Sequence, residues 1–213
     1  AESGDTQISV TDADARALLV QGQVVEVAYN VQAAVDAKHN LVVATHTINK
    51  NDRNALSAIA KEAKANLEVE TYTALVDKGY HNGRQIDQCQ QANITTIVAA
   101  PTLVNSNEYG TTAAYMVTQF TYNESTDTYT CPQGETLTTK GTWHKKTRER
   151  DSYRFKKYRT PKCKTCAVKH LCTGRQNGGR ELDRSEFATA VEINNTNYKN
   201  NAKLYRKRQE INE

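Results

Sequence analysis

The sequence has no run of about 18 or more consecutive apolar residues, the length that a membrane-spanning helix needs. It also lacks a charged stretch followed by an apolar stretch at its start, the pattern of a secretory leader. Its mean hydropathy of −0.74 is typical of a polar, soluble protein. We therefore expect no membrane span, no signal peptide and no membrane partner.

The chain begins with Ala1 rather than Met and stops inside a helical pattern, "RKRQEINE". We expect a piece of a longer protein. Its 213 residues are enough for one sizeable core, or for one core with a small satellite.

Positive charge is concentrated in residues 140–164. This segment holds 11 Lys and Arg against 2 Asp and Glu, a local charge of +9, whereas the whole chain carries +4. Trp143, Tyr153, Phe155 and Tyr158 are interleaved with these cations. Cations beside aromatic rings suit a polyanion with stackable bases. A solvated, flexible basic loop is the alternative interpretation.

The first hundred residues predict alternating strands and helices. Two β-rich runs joined by "AKHN" have the pattern of a hairpin, and Leu56, Ile59 and Ala63 lie on one face of a predicted helix. The predicted elements are strand 24–36, strand 41–49, helix 52–67, strand 71–76, helix 82–93 and strand 94–100. This order is typical of an α/β layout around one central sheet.

The composition changes after residue 102. A segment rich in Thr, Asn, Ser and Tyr contains a predicted hairpin around "NESTD", and the basic segment and a cysteine cluster follow. A helical pattern then returns. We expect an α/β core formed by residues 1–102 and 191–213, the second part cut short at its end. A small β-rich, cysteine-containing insertion at residues 103–190 would interrupt this core.

Four of the five cysteines have a spacing that suits a metal. Cys163 and Cys166 form a C-x2-C motif, Cys172 follows closely, and Cys131 lies on a predicted turn. Four thiolates can hold a structural Zn²⁺ and so stabilise an insertion that lacks a large core. His170 could replace one thiol. Free thiols and disulfides are the alternatives, and disulfides are the weaker one without a sign of export.

Two aspartates end predicted strands. Asp36 ends "NVQAAVD" and Asp77 ends "TALVD". If these strands are neighbours in one sheet, both carboxylates lie at one edge, where Glu210 or Glu213 of the last helix could join them. Three oxygen ligands suit Mg²⁺ or Mn²⁺, ions that promote attack on a phosphodiester. The alternative is that each aspartate only starts a turn or caps a helix.

Several segments then carry a family resemblance. They are, in order, "YNVQAAVDAKHNLVVATHTINKNDRNAL", "VDKGYHNG", "YTCPQGETL", "CKTCAVKHLCT" and "LYRKRQEINE". Together they resemble the DDE transposases of bacterial insertion sequences, specifically the IS1182-like group within the IS4/IS5-type set. The resemblance extends from about "ISVTDADAR" to the last residue.

The resemblance implies a ribonuclease-H-like fold, a mixed sheet flanked by helices, with a triad of acids. Carried over by position, Asp36 is the first acid, Asp77 the second, within a "DKGY" that resembles the family's D-[KR]-G-Y, and Glu213 the third. Arg208 stands five residues before Glu213, a spacing that also resembles the family and favours Glu213 over Glu210. The family's Glu usually opens an E-H-x-F-G segment, which this sequence does not contain.

The implied activity is DNA strand cleavage and strand transfer in transposition. Asp36, Asp77 and Glu213 would bind Mg²⁺ or Mn²⁺, water would attack a transposon end, and the freed 3′-hydroxyl would attack target DNA. The alternative is a non-catalytic DNA-binding remnant, because a helix that ends at its catalytic Glu holds that ligand poorly. On either interpretation this fragment could be weakly active or inactive.

The expected partner is DNA, as transposon ends and as target. Side chains expected to contact DNA are Lys78, Lys145, Lys146, Arg148, Lys203, Arg206 and Arg208. An exposed basic surface without DNA contact is the alternative. The resemblance also implies a homo-oligomer assembled on DNA and a cytoplasmic, nucleoid-associated bacterial protein.

Overall fold

The computed structural model describes residues 9–20, 24–101, 111–148 and 151–212. The chain divides into two compact units, residues 1–101 with 189–213, called the first unit, and residues 102–188, called the second unit. Among the described residues, no helix is long and apolar enough to cross a membrane.

From residue 24 onward, the strands and helices of the first unit up to residue 101 follow the predicted order, and an unpredicted strand precedes them. Its elements up to residue 101 are β1 Arg16–Val20, β2 Val24–Ala28, β3 Asn30–Asp36, β4 Leu41–Ile48, α1 Leu56–Asn66, β5 Tyr72–Val76, α2 Gly83–Gln91 and β6 Ile94–Val98. The α/β class predicted from the sequence is confirmed. The predicted strand 24–36 is divided into β2 and β3, and β2 pairs with β1 in an antiparallel ladder.

The hairpin predicted around "AKHN" is present. Strands β3 and β4 are antiparallel, with Asn30 opposite Ile48 and Asp36 opposite Leu41. The turn closes with a bond from the Asn40 N–H to the Asp36 carbonyl, 2.8 Å long. Asn40 has a φ of 56°, a left-handed conformation that asparagine tolerates better than most residues. The polar turn residues therefore fix where β3 ends.

Strands β5 and β6 form a parallel ladder, with α2 as the connection between them. Helix α2 buries Ile86 and Cys89 completely, as its apolar face predicts, and both pack with Ile94 and Val98 of β6. Burial of a hydrophobic side chain stabilises a fold by roughly 1.5–3 kcal/mol. This cluster makes the β5–α2–β6 segment a firm support for the residues that follow β5.

The prediction of one central sheet differs from the structure. In the described residues, β3–β4 and β5–β6 are separate two-stranded ladders. Residues of both β3 and β5 line a cavity of about 530 Å³, and the small side chains of Ala33, Ala34 and Ala74 are among them.

The second unit contains an antiparallel six-stranded sheet of order β10-β11-β9-β8-β7, in which β12 also pairs with β11. Its elements are β7 Thr121–Asn123, β8 Thr128–Thr130, β9 Thr136–Thr139, β10 His144–Arg148, β11 Asp151–Arg159, α3 Lys169–Cys172 and β12 Glu181–Ser185. The hairpin predicted around "NESTD" corresponds to β7 and β8. The basic segment forms strands β10 and β11 rather than a loop.

A tyrosine cluster forms the centre of the second unit. Tyr122, Tyr129 and Tyr158 contact one another at ring-centroid distances of 5.0–6.2 Å. Asp127 accepts hydrogen bonds from the Tyr158 hydroxyl (2.5 Å), the Tyr122 hydroxyl (2.8 Å) and the Lys156 ammonium (2.7 Å). The bond from Lys156, followed by that from Tyr158, lowers the pKa of Asp127 to about 2.

Two helices, α4 (Ala188–Asn200) and α5 (Ala202–Asn212), return the chain to the first unit. Asn194 of α4 is fully buried and bonds both backbone groups of Val98, accepting from N–H at 3.0 Å and donating to C=O at 2.9 Å. Tyr205 of α5 donates to the Val76 carbonyl at 3.2 Å. This bond between Tyr205 and Val76 holds α5 at the end of β5, directly before Asp77.

Candidate active site

Asp77 follows β5 and begins a single 3-10 turn, Lys78–Tyr80. The Tyr80 N–H donates to the Asp77 carbonyl at 3.1 Å and so closes the turn. In the part of the chain that the structure describes, the Asp77 side chain makes no capping bond to this turn. Its carboxylate is about half exposed, at 51%. The Asp77 backbone therefore closes the turn, whereas its side chain does not cap it.

Arg208 of α5 lies beside Asp77. One guanidinium nitrogen, Nη2, is 3.6 Å from Asp77 Oδ1, and the arginine side chain is mostly buried. Its guanidinium also lies 5.5 Å from the centre of the Tyr205 ring, the residue that anchors α5 to β5. The Nε of Arg208 is buried without a hydrogen-bond partner among the described residues. The Arg208 guanidinium is therefore held by its neighbours, while its Nε donor makes no hydrogen bond among the described residues.

Asp36 has a different environment. Its carboxylate accepts hydrogen bonds from the N–H groups of Lys38 (3.3 Å) and His39 (2.9 Å), and the His39 ring nitrogen Nδ1 lies 2.7 Å away. The Lys38 N–H, then the His39 ring, lower the pKa of Asp36 below its ordinary range. The alternative that this aspartate organises a turn is thus present in the structure. The sequence signal for it is an Asx-type turn in "DAKH".

Both aspartates and Arg208 line the same cavity, the one of about 530 Å³ between β3 and β5. Its other walls come largely from apolar side chains of α1, β3 and β5. Of the residues that the sequence analysis selected, Arg208 and Asp77 are therefore in contact, and Asp36 lines the same cavity. Carboxylates are ligands for divalent cations and a guanidinium binds anionic groups, so these side chains offer both kinds of group.

Two glutamates were predicted as candidates for the third acid. Glu213 lies outside the described residues, and Glu210 is exposed on α5. Within the described ranges, no group of three or more His, Cys, Asp or Glu is arranged to hold a metal ion. The oxygen-rich pair Asp36 and Asp77 nevertheless fits Mg²⁺ or Mn²⁺ by donor chemistry, since hard cations bind carboxylate oxygens.

The basic residues predicted to contact DNA lie in both units. In the first unit Lys78, Lys203 and Arg206 are exposed. In the second unit Lys145 is exposed and Lys146 half-buried on β10, whereas the Arg148 side chain is outside the described part of the chain.

The aromatic residue of the basic segment is also accessible. Trp143 is 44% exposed, and its ring is flanked by Arg154 at 5.3 Å and Lys156 at 5.2 Å. Of the four aromatic residues in the predicted pattern, Trp143 is exposed beside cations, whereas Phe155 and Tyr158 are buried.

The four clustered cysteines are close in space. Cys131, Cys163, Cys166 and Cys172 all line a cavity of about 30 Å³ in the second unit. All five cysteines are free thiols, so the disulfide alternative is not found. Burial raises the pKa of the Cys172 thiol, with smaller contributions from the other three thiols of the cluster. His170, considered as a substitute ligand, is exposed on α3.

Sequence reasoning assigned no role to three polar residues near Asp77. Asn30, Gln32 and Asp52 form a hydrogen-bonded group, and Gln32 is only 2% exposed. The available signal was that residues 30 and 32 alternate along β3 and so share one face of the strand. Two polar side chains at successive positions on one face of a strand predict that a polar side chain packs against that face.

The first unit is thus an α/β unit in which two strand-end carboxylates and an arginine line one cavity. The family model described as "Transposase DDE domain" matches residues 5–211, so the chain belongs to the DDE transposase family. No curated protein and no solved structure matches the chain. The family is one of DNA cleavage and transfer in transposition, with divalent metal ions such as Mg²⁺ and with DNA as substrate.

Proposed function

We propose that this chain is the catalytic domain of an insertion-sequence transposase of the IS1182-like group, with a ribonuclease-H-like core, and that it cleaves DNA strands and transfers them in a metal-dependent reaction. The observation that carries the proposal is that Asp36, Asp77 and Arg208 line one cavity. The family match over residues 5–211 supports assigning DNA cleavage and transfer to this group of residues.

Asp36 and Asp77 would hold Mg²⁺ or Mn²⁺, with Glu213 as third ligand and Glu210 as its competitor. Bound divalent ions supply activation of the attacking hydroxyl and neutralisation of the leaving oxygen. The hydrogen bonds from Lys38 and His39 orient the Asp36 carboxylate before any ion binds. The Asp77 carboxylate is free of capping bonds in the described chain and can turn toward the ion.

Arg208 would bind the DNA phosphate at this site. Its planar guanidinium presents donors that match phosphate oxygens, and its Nε has no partner among the described residues. The 3.6 Å approach to Asp77 places that donor set next to the candidate ligand. Lys78, Lys203 and Arg206, which are exposed in the same unit, would extend the contact along the DNA backbone.

The second unit, as an insertion in the catalytic core, would bind DNA through strands β10 and β11. Support comes from the local charge of +9 in residues 140–164 and from Trp143, whose exposed ring lies beside Arg154 and Lys156. Lys145, Lys146 and Arg148 on β10 would contact phosphates. We further propose a homo-oligomer on DNA and a bacterial, nucleoid-associated location in the cytoplasm.

The cysteine cluster would hold a structural Zn²⁺. Support comes from the convergence of four thiols on one small cavity and from the C-x2-C spacing of Cys163 and Cys166. Gly179 fits this arrangement, because a Cβ at that position would stand 2.2 Å from Cys163 Cβ. Four protein ligands leave no open position, so such an ion would stabilise the unit and take no part in catalysis.

The test is nicking of supercoiled plasmid that carries the DNA flanking the coding sequence, with Mg²⁺ or Mn²⁺. Asp36→Asn and Asp77→Asn remove the candidate ligands at nearly constant size, and Glu70→Gln, at an exposed loop position, is the matched control. We expect nicking by the wild type and by Glu70→Gln, and at least about 100-fold slower nicking by the two Asn variants. DNA binding without nicking by the wild type would favour the DNA-binding remnant instead.

A further inference from the structure

A buried polar network connects β3 with the turn that carries Asp77. The Asn30 amide donates to Asp52 Oδ1 at 2.6 Å, and the Gln32 amide donates to the same oxygen at 3.0 Å and to Asn30 Oδ1 at 2.7 Å. The hydroxyl of Tyr80 donates to Gln32 Oε1. Four side chains from three separate segments are therefore linked through one buried amide.

Breaking this network would destabilise the fold, because a buried polar group that loses its hydrogen-bond partner costs about 1–3 kcal/mol. Gln32 is 2% exposed, and both ends of its amide are bonded. Burial, followed by the charges of Asp52 and Asp77, raises the pKa of Tyr80 to about 12, so its hydroxyl stays a donor at neutral pH. The Gln32 amide therefore favours one position of the Tyr80 hydroxyl. The bond between them holds the turn that contains Tyr80.

The backbone of the turn is equally constrained by Asp52. A Cβ on Gly79 would stand 3.2 Å from Asp52 Oδ2, tighter than ordinary contact. Next to this point, Asn82 donates to Asn54 Oδ1 at 2.8 Å, and Ser57 N–H donates to Gln85 Oε1 at 2.9 Å. The segment around Asp52 is therefore fastened to the segment after Asp77 at several points.

We propose that Asp52, Gln32 and Tyr80 are positioning residues for Asp77, setting the place of its carboxylate relative to β3 and so to Asp36. The inference rests on the proposed role of Asp77 as a metal ligand. Tyr80 lies in the turn that Asp77 begins, and Gln32 lies on the strand that Asp36 ends. The network is a side-chain link between the two strands that the cavity separates. Metal ligands need such support, since a shift of about 0.5 Å already weakens a site.

The decisive variant is Tyr80→Phe, which removes one hydroxyl and keeps the ring. The matched control is Tyr72→Phe, because Tyr72 is also a mostly buried tyrosine of the first unit, and its hydroxyl donates to the Ala60 carbonyl at 2.9 Å. Both variants lose one buried hydrogen bond, so their melting temperatures should fall by similar amounts. Only Tyr80→Phe should disturb the Asp77 turn.

Two readouts separate positioning from stability. The first is hydrogen exchange of the Tyr80 and His81 amides, whose bonds to Asp77 and Lys78 close the turn. The second is the Mn²⁺ dissociation constant by electron paramagnetic resonance. We expect Tyr80→Phe to speed the exchange and weaken Mn²⁺ binding by about tenfold, and Tyr72→Phe to leave both unchanged. Equal behaviour of the two variants in both readouts would overturn the inference.

Gly79→Ala is the second variant, in case Tyr80→Phe does not fold. It removes no polar group but brings a methyl group against Asp52. The same weakening of Mn²⁺ binding is expected, and wild-type binding would overturn the inference.

Asp77→Asn separates the inference from the proposed function. Undiminished DNA nicking by Asp77→Asn would contradict the proposed function itself. Loss of nicking by Asp77→Asn, with wild-type exchange and Mn²⁺ binding in Tyr80→Phe, would remove only the positioning role.

Discussion

Arg208 Nη2 lies 3.6 Å from Asp77 Oδ1, although 131 positions separate the two residues in the sequence. The contact depends on Tyr205, one helical turn before Arg208, whose hydroxyl bonds the carbonyl of Val76, the residue before Asp77. Under the proposed function, this cation would balance the charge of the Asp77 carboxylate and would bind a DNA phosphate beside it.

Arg208→Gln should therefore have opposite effects on two properties. Mn²⁺ binding should tighten severalfold, because a like charge next to the metal site is removed, whereas DNA nicking should slow about tenfold or more, because a phosphate donor is lost. Arg206→Gln removes one charge from the same helix without the Asp77 contact and should leave Mn²⁺ binding unchanged. Unchanged nicking by Arg208→Gln would contradict the assigned role.

The proposed zinc site makes a prediction about the metal content of the chain. The purified chain should contain about one zinc per molecule by plasma mass spectrometry, and Cys163→Ser with Cys166→Ser should lose it and lower the melting temperature. Cys89→Ala is the control, since Cys89 lies in the core of the first unit, away from the cluster. A zinc-free wild type, or full zinc content in the double variant, would contradict the proposal.

The stability of the second unit should depend on pH through Asp127. The folded-state pKa is about 2, below the ordinary 3.8, so the stabilisation is complete above pH 3.8 and lost as the pH falls toward 2. The melting-temperature difference between wild type and Asp127→Asn should thus be largest at pH 5 and shrink toward pH 2. Asp183→Asn, at an exposed position of β12 in the same unit, is the matched control. A constant difference for Asp127→Asn would show that its charge does not matter.

Asn194 should be a major contributor to the docking of α4. Asn194→Ala leaves both backbone groups of Val98 without their partner, a loss of about 2–4 kcal/mol in the free energy of unfolding. Asn200→Ala, at an exposed position of the same helix, should change it by less than about 0.5 kcal/mol. Urea denaturation measures both. Equal losses for the two variants would show that the bonds from Asn194 to Val98 do not contribute to the docking of α4.

Strand β10 should contribute to DNA affinity in a salt-dependent manner. Lys145→Gln should reduce the slope of log affinity against log salt concentration by about 1, because one phosphate contact is lost. Lys61→Gln removes the same charge from the exposed side of α1 and should leave the slope unchanged. Fluorescence anisotropy with a short duplex provides the comparison, and identical slopes for Lys145→Gln and wild type would exclude the contact.

Local patterns in the sequence predicted the elements of the first unit well. The "AKHN" turn, the apolar face of α1 and the buried face of α2 each depend on residues close together in the chain, and all three are present. The resemblance to DDE transposases, carried by several motifs in order, was likewise confirmed by the match over residues 5–211.

Long-range relations could not be predicted in this way. The bond between Tyr80 and Gln32 joins residues 48 positions apart, and nothing local to either residue indicates the other. The separation of β3 from β5 by a cavity is likewise a property of tertiary packing, whereas the sequence predicted one continuous sheet. Asp36 and Asp77 were selected for the same reason, a strand-end position, yet their surroundings differ because only Asp36 is followed by a turn that uses its carboxylate.

The most direct measurement is anomalous diffraction from a crystal of the chain soaked in Mn²⁺. The account predicts a peak in the cavity between β3 and β5, about 2.1–2.2 Å from carboxylate oxygens of both Asp36 and Asp77. The Asp77 carboxylate should then have moved away from Arg208. A peak elsewhere, or an Asp36 carboxylate engaged only by Lys38 and His39 while the cavity holds no ion, would contradict the central claim that these two aspartates form one metal site.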